Sequence, residues 1–338
     1  MGLRETDIVK LASNENPLGP SPLALEAVRQ CLPDLARYPD GAGFELKGAL
    51  GARYGVATNQ VVLGNGSNDV LEFAARAFLK PGDSAVFSRH AFAVYPLVVQ
   101  AVGARAIEVP AKEFGNDLTA LLEAIEDDTR IVFIANPNNP TGTLVREDAL
   151  LRFIEQLPHH VLLVLDEAYY EYLAPGVAPR SVEWLARFPN LLIARTFSKA
   201  YGLAGLRVGF ALCHANVADM LNRVRQPFNV STAAQVAATA ALGDVDHLSR
   251  GVKANFAGMA QLTDGLQKLD VDYIPSFGNF LSFRIGNATA MYQRLLKRGV
   301  IVRPVANYAM PEHLRVSIGL ESENEKFLKA LKDAMKES

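Results

Sequence analysis

The chain has 338 residues, 49% of them hydrophobic, with 34 Lys and Arg set against 36 Asp and Glu for a formal net charge of -2. That is enough apolar material for a sizeable core in one large or two ordinary domains, and the balanced, scattered charge argues against nucleic acid or an anionic membrane as the main partner. Two cysteines, Cys31 and Cys213, exclude a disulfide framework, and neither has the neighbours of a zinc site or any other metal site.

The N-terminus is charged and lacks the apolar stretch of a signal peptide, and no run approaches the roughly 20 apolar residues of a membrane span. A cytoplasmic protein is therefore expected. From there, short apolar runs at residues 61–63, 84–87, 105–109, 131–134, 161–165, 191–194 and 208–211 read as strands. Most are continuous rather than alternating, the pattern of strands buried on both faces. Helix-like stretches at 69–79, 91–102 and 146–156 lie between them. The reading is an α/β fold with a largely parallel sheet, whose ligands gather beyond the C-terminal strand ends. After Arg225 the pattern changes to a helical region at 233–269 and strands near 280–283 and 314–318. This predicts a large domain over 36–244 and a smaller α+β domain from 245–338 with the N-terminal segment 1–35 packed against it.

The strand ends carry the chemistry. Asn136-Pro137-Asn138-Asn139-Pro140-Thr141-Gly142 follows one strand, Asp166-Glu167-Ala168-Tyr169 the next, and Arg195-Thr196-Phe197-Ser198-Lys199 the one after, with Arg207 eight residues beyond the lysine. Pyridoxal phosphate (PLP) chemistry asks for such a set. A lysine in a water-poor site gives up its proton readily, and a carboxylate keeps the pyridine nitrogen protonated. Hydroxyls, helix N-terminal amides and an arginine hold the phosphate. Gly64-Asn65-Gly66-Ser67-Asn68-Asp69 fails as a dinucleotide fingerprint because its third glycine is Asp69, and it lacks the lysine of a P-loop. His90, His214 and His313 show no partner arrangement and read as ordinary surface or core histidines.

The stretches 11–22, 37–40, 64–68, 136–142, 166–169, 198–209 and 314–319 run in one order over nearly the whole chain. In them the sequence resembles the fold-type-I PLP aminotransferases, and within that group the histidinol-phosphate aminotransferase family. The resemblance implies a two-domain α/β enzyme using glutamate and imidazole-acetol phosphate or their products. It implies that Lys199 forms the Schiff base and moves the substrate proton, that Asp166 faces the pyridine nitrogen, and that Asn139 and Tyr169 bond the ring hydroxyl. Phe92 falls where an aromatic covers the ring, and Ser67, Asn68, Thr196, Ser198 and Arg207 would form the phosphate cup. Tyr38 would reach the phosphate of a neighbouring subunit, which implies a homodimer. Arg315 would grip the substrate carboxylate, with Arg303 at the distal phosphate or side chain and Asn16 and Tyr308 as wall residues. The same motifs occur in aromatic amino acid aminotransferases and in decarboxylases of the threonine-phosphate type.

Overall fold

The apolar runs form strands whose pairing explains where the site lies. A computed structural model describes residues 4–337. After β1 (Val9–Lys10), the strands β2 (Val61–Gly64), β3 (Ser84–Ser88), β4 (Arg105–Val109), β5 (Thr129–Ala135), β6 (Leu162–Asp166), β7 (Leu191–Thr196) and β8 (Gly209–Cys213) follow. The last seven make one sheet in the order β2-β8-β7-β6-β5-β3-β4. Among β7, β6, β5, β3 and β4 every pairing is parallel, whereas β8 runs antiparallel to both β7 and β2.

Along each strand, successive side chains enter opposite cores, as the pleat requires. Leu163 and Leu165 join one apolar cluster, Leu162 and Val164 the other. Helices α1 (Pro22–Cys31), α2 (Phe44–Tyr54), α3 (Ser67–Phe78), α4 (Val94–Ala101), α5 (Leu118–Glu123), α6 (Glu147–Gln156), α7 (Ala215–Val224) and α8 (Thr232–Gly243) cover the two faces. β4 lies at the edge and is the strand with most exposed residues. The reversal at β8 has a local cause. Residues 197–208 contain only a short 3-10 turn, Ala204–Leu206, and no crossover helix that would return the chain for parallel pairing. The turn back sets Gly209 opposite Thr196, so Arg207 lies beside the C-terminal end of β7.

The helical stretch at 233–269 is not continuous. It breaks at Asp244, whose carboxylate caps α9 (Val245–Lys268) by accepting from His247 N at 3.0 Å and also accepts from Ser21 Oγ at 2.5 Å. An aspartate favours exactly this capping role over a helix interior. Helix α4 likewise begins at Val94, three residues later than the sequence pattern suggests, leaving Phe92 in the preceding turn.

Beyond α9, strands β9 (Tyr273–Ile274), β10 (Phe280–Arg284), β12 (Arg303–Pro304) and β13 (His313–Ser317) form an antiparallel sheet in the order β12-β13-β10-β9. Helices α10 (Ala288–Lys297) and α11 (Glu321–Met335) pack on it around a third apolar cluster. Between them β11 (Val300–Ile301) pairs in parallel with β1, and Leu11 enters that cluster. The N-terminal segment does not stay with this smaller unit throughout. Helix α1 packs on α8, and its Ala24 joins the core of the large sheet, because its narrow apolar face fits the alanines of α8. Among the described residues no helix is long and apolar enough to cross a membrane.

Candidate active site

The C-terminal ends of β2, β5, β6 and β7 open on one side of the large sheet, and the start of β8 joins them. Helix α3 begins there with Ser67 and Asn68, and its first-turn amides have no partners within the helix. Gly66 precedes them at φ +74°, and a Cβ on it would stand 2.6 Å from Arg207 Nη2. A Cβ on Gly209 would stand 2.5 Å from the carbonyl carbon of Gly66. Glycine at both positions lets the Arg207 guanidinium lie across the helix N-terminus. Arg207 donates to Ser198 Oγ at 3.1 Å, and Thr196 Oγ1 accepts from Ser198 N at 3.1 Å. Amides, hydroxyls and a guanidinium thus converge on a space suited to a phosphate dianion.

Asp166 ends β6 and is buried beside that space. Its carboxylate accepts from Tyr95 Oη at 3.0 Å and from Ala168 N at 3.2 Å. Burial pushes its pKa up to about 6 against the opposing pull of these donors. Two acceptor positions remain for a ligand N–H, since a carboxylate offers about four. Lys199 lies in the same pocket and donates to Ser13 O at 3.1 Å. Burial first, then the nearby Arg315 charge, lowers its pKa to about 8. That is the environment a nucleophilic amine needs.

Two further donors point into the cleft for a reason visible in their bonds. Tyr169 Oη accepts from Asn14 Nδ2 at 2.9 Å, which leaves its own hydrogen to donate, and burial raises its pKa to about 12. Asn139 Oδ1 accepts from Arg315 Nη1 at 2.6 Å, which leaves its Nδ2 to donate. Phe92 sits edge-on to Tyr95, ring centroids 6.0 Å apart, and lines this pocket.

Phe92, Asn139 and Lys199 also line a second, adjoining space, closed by Ser13, Asn14, Arg303, Asn307, Tyr308 and Arg315. Arg315 is 5% exposed, donates to Asn139 and to Ala12 O at 2.9 Å, and has no ion pair among the described residues. Its Nε is buried without a partner. Burial lowers its pKa. Arg303 is opposite it in register and donates to Ala12 O at 3.3 Å. The two cations share one wall.

One expected wall residue lies elsewhere, and Tyr38, expected at a neighbouring subunit's site, lies outside its own chain's cleft. Asn16 does not line the cleft: its amide donates to Ala200 O at 2.9 Å and accepts from Leu18 N at 3.0 Å, a turn-fixing role, and Asn14 takes the wall position. Tyr38 is 83% exposed, stacked on Phe228 at 4.9 Å, and outside its own chain's cleft. Sequence reasoning missed Ser13, Asn14, Tyr95 and Asn307. Asn14 lies in a motif the sequence singles out; Tyr95 had no signal, being an apolar-looking helix position.

A model of the aminotransferase class I and II family matches residues 6–331. The chain belongs to the class I and II aminotransferases. It is 61% identical to histidinol-phosphate aminotransferase 2 of Nitrosospira multiformis over 99% of this chain and 86% of that one. It is 59% identical to histidinol-phosphate aminotransferase of Methylobacillus flagellatus, over 99% of this chain and 91% of that one. The crystal structure of histidinol-phosphate aminotransferase from Sinorhizobium meliloti in complex with pyridoxal-5′-phosphate superposes with a TM-score of 0.92 at 30% identity, covering 97% of this chain and 91% of that one. The residues of this aminotransferase fit the same cofactor. The glycine-bared helix end would take its phosphate, the free lone pairs of Asp166 its ring nitrogen, and the spare hydrogens of Tyr169 and Asn139 its ring oxygen.

Proposed function

We propose that this aminotransferase exchanges an amino group between L-histidinol phosphate and 2-oxoglutarate in histidine biosynthesis, in the cytoplasm, with PLP as cofactor. The observation that carries the reading is Arg315. It is a buried cation without an acid partner among the described residues, placed beside Arg303 and sharing its space with Lys199. Near-60% identity to enzymes named for this substrate supports it.

When bound, PLP supplies a conjugated ring that accepts charge from the substrate Cα. Lys199, whose pKa burial lowers to about 8, would take and return the proton at the substrate Cα. Asp166 would keep a proton on the ring nitrogen, and Tyr169 and Asn139 would hold the ring oxygen with the hydrogens their present bonds leave free. Arg207, Ser198, Thr196 and the Ser67 and Asn68 amides would fix the phosphate, and Phe92 would cover the ring. Arg315 orients the glutamate carboxylate. Histidinol phosphate has no carboxylate, so its phosphate takes that charge, with Arg303 assisting and Tyr308 forming the wall.

We also infer a homodimer in which Tyr38 reaches the partner's phosphate site. Its exposed ring, stacked on the half-exposed Phe228, supports this reading. Separate apolar clusters support a PLP-binding domain at 36–244 and a smaller domain at 245–338 joined by the first strand.

The test is a single-turnover titration of the PLP form with L-histidinol phosphate, L-glutamate, L-phenylalanine and L-threonine phosphate, followed by the cofactor's visible absorbance. Histidinol phosphate and glutamate are expected to react fastest. A faster reaction with phenylalanine would reassign the enzyme to aromatic amino acids, and CO₂ release from threonine phosphate would make it a decarboxylase. Lys199→Ala is expected to lose both turnover and the visible absorbance.

A further inference from the structure

His90, partnerless by its sequence pattern, has partners on both sides of the cleft. It follows β3, and its Nδ1 lies 2.7 Å from Tyr308 O. A backbone carbonyl only accepts, so Nδ1 carries the hydrogen, and in the neutral ring Nε2 is the bare nitrogen. The backbone carbonyl of His90 accepts from Asn138 Nδ2 at 3.0 Å, and that amide also donates to Thr141 Oγ1 at 2.8 Å. One residue therefore connects the turn that presents Asn139 to the loop that presents Asn307 and Tyr308.

That loop needs an external hold. Its ends are anchored by Val305 and Met310, buried together with Ile274. Its tip is a single 3-10 turn, Ala306–Tyr308, followed by Ala309 at φ +57°. A non-glycine residue in the left-handed region persists only where its surroundings fix it. The hydrogen bond from His90 reaches the carbonyl just before that strained residue.

We propose that His90 is a positioning residue that locks the substrate wall at Asn307 and Tyr308 to the cofactor-side turn through its Nδ1–H. The assignment rests on the proposed function only in treating that wall as the place where histidinol phosphate binds.

The experiment compares His90→Leu, His90→Asn and His90→Gln with the wild type. Asparagine puts an N–H where Nδ1 stands, whereas glutamine reaches the Nε2 position. His90→Leu and His90→Gln are expected to raise KM for L-histidinol phosphate about tenfold, the worth of one hydrogen bond, with kcat within about twofold. His90→Asn is expected to stay near the wild type. Hydrogen exchange on the cofactor-free proteins gives a readout independent of turnover. Amides of residues 305–310 should exchange faster in the leucine and glutamine variants only, with those of β10 unchanged. Equal exchange at 305–310 in all four proteins, or an asparagine variant as impaired as the leucine one, overturns the proposal. A wild type that leaves histidinol phosphate unreacted sinks the functional reading instead, and the exchange comparison still judges His90.

Discussion

Two buried arginines in this protein have opposite surroundings. Arg195, 1% exposed, donates through Nε and Nη2 to Glu167 Oε2 at 2.9 and 2.7 Å. Its guanidinium lies 3.5 Å from the Tyr170 ring centroid, and Glu167 Oε1 accepts from Ser181 Oγ at 2.7 Å. Arg315, 5% exposed, bonds only neutral oxygens, leaves Nε unmet, and lies 5.3 Å from the Phe280 ring centroid. Burying a charge costs several kcal/mol unless a counter-charge answers it. Arg195 is answered inside the fold and serves the structure. Arg315 is left unanswered, which makes sense for a charge that a substrate anion completes.

Breaking the first pair should give the largest effect. Arg195→Met leaves Glu167 buried without its partner and is expected to cost about 3–5 kcal/mol in denaturant unfolding. Adding Glu167→Gln should recover much of that loss, because no bare charge then remains. A single variant as stable as the wild type would erase the distinction between the two arginines. Arg315→Ala should behave in the opposite way. Its stability is expected to stay within about 1 kcal/mol of the wild type or rise, while kcat/KM for glutamate falls about 10²-fold, or ~3 kcal/mol. Equal losses of stability and of substrate use would give it a structural role.

The smallest effect is on pH dependence. Capture of PLP by the cofactor-free protein needs the neutral amine of Lys199, so its rate should rise with pH and level off above about 8. The nearby Arg315 charge is the second cause, after burial, holding that pKa down. Arg315→Ala should therefore move the midpoint to higher pH, because the ammonium form loses a repelling neighbour. Stopped-flow absorbance at a series of pH values measures this, and an unmoved midpoint would mean that Arg315 does not help to set it.

The gathering of Lys199, Asp166 and Arg207 in one pocket was legible in the sequence because each sits in a local motif at a strand end, where a parallel sheet gathers its ligands. Arg303, Tyr308 and Arg315 were expected at the wall of the cleft, but the contacts that build the rest of it were not legible. Tyr95 meets Asp166 across 71 residues, Asn14 meets Tyr169 across 155, Lys199 meets Ser13 across 186, and His90 meets Tyr308 across 218. No spacing rule links positions so far apart. Asn16 misled for the same reason: it belongs to the right motif, but which of two asparagines two residues apart faces inward depends on the backbone, here on Asn14 at φ +56°.

By itself, the sequence determined the continuous apolar strands and the lysine, carboxylate and arginine at their ends. These follow from short-range sterics, burial pattern and local hydrogen bonding. Tertiary structure alone decided the division of the N-terminal segment between two cores. It also decided which buried arginine has an acid and which does not. These depend on which surfaces meet when the chain folds, and charge pairing at a distance is a property of that meeting rather than of any one segment.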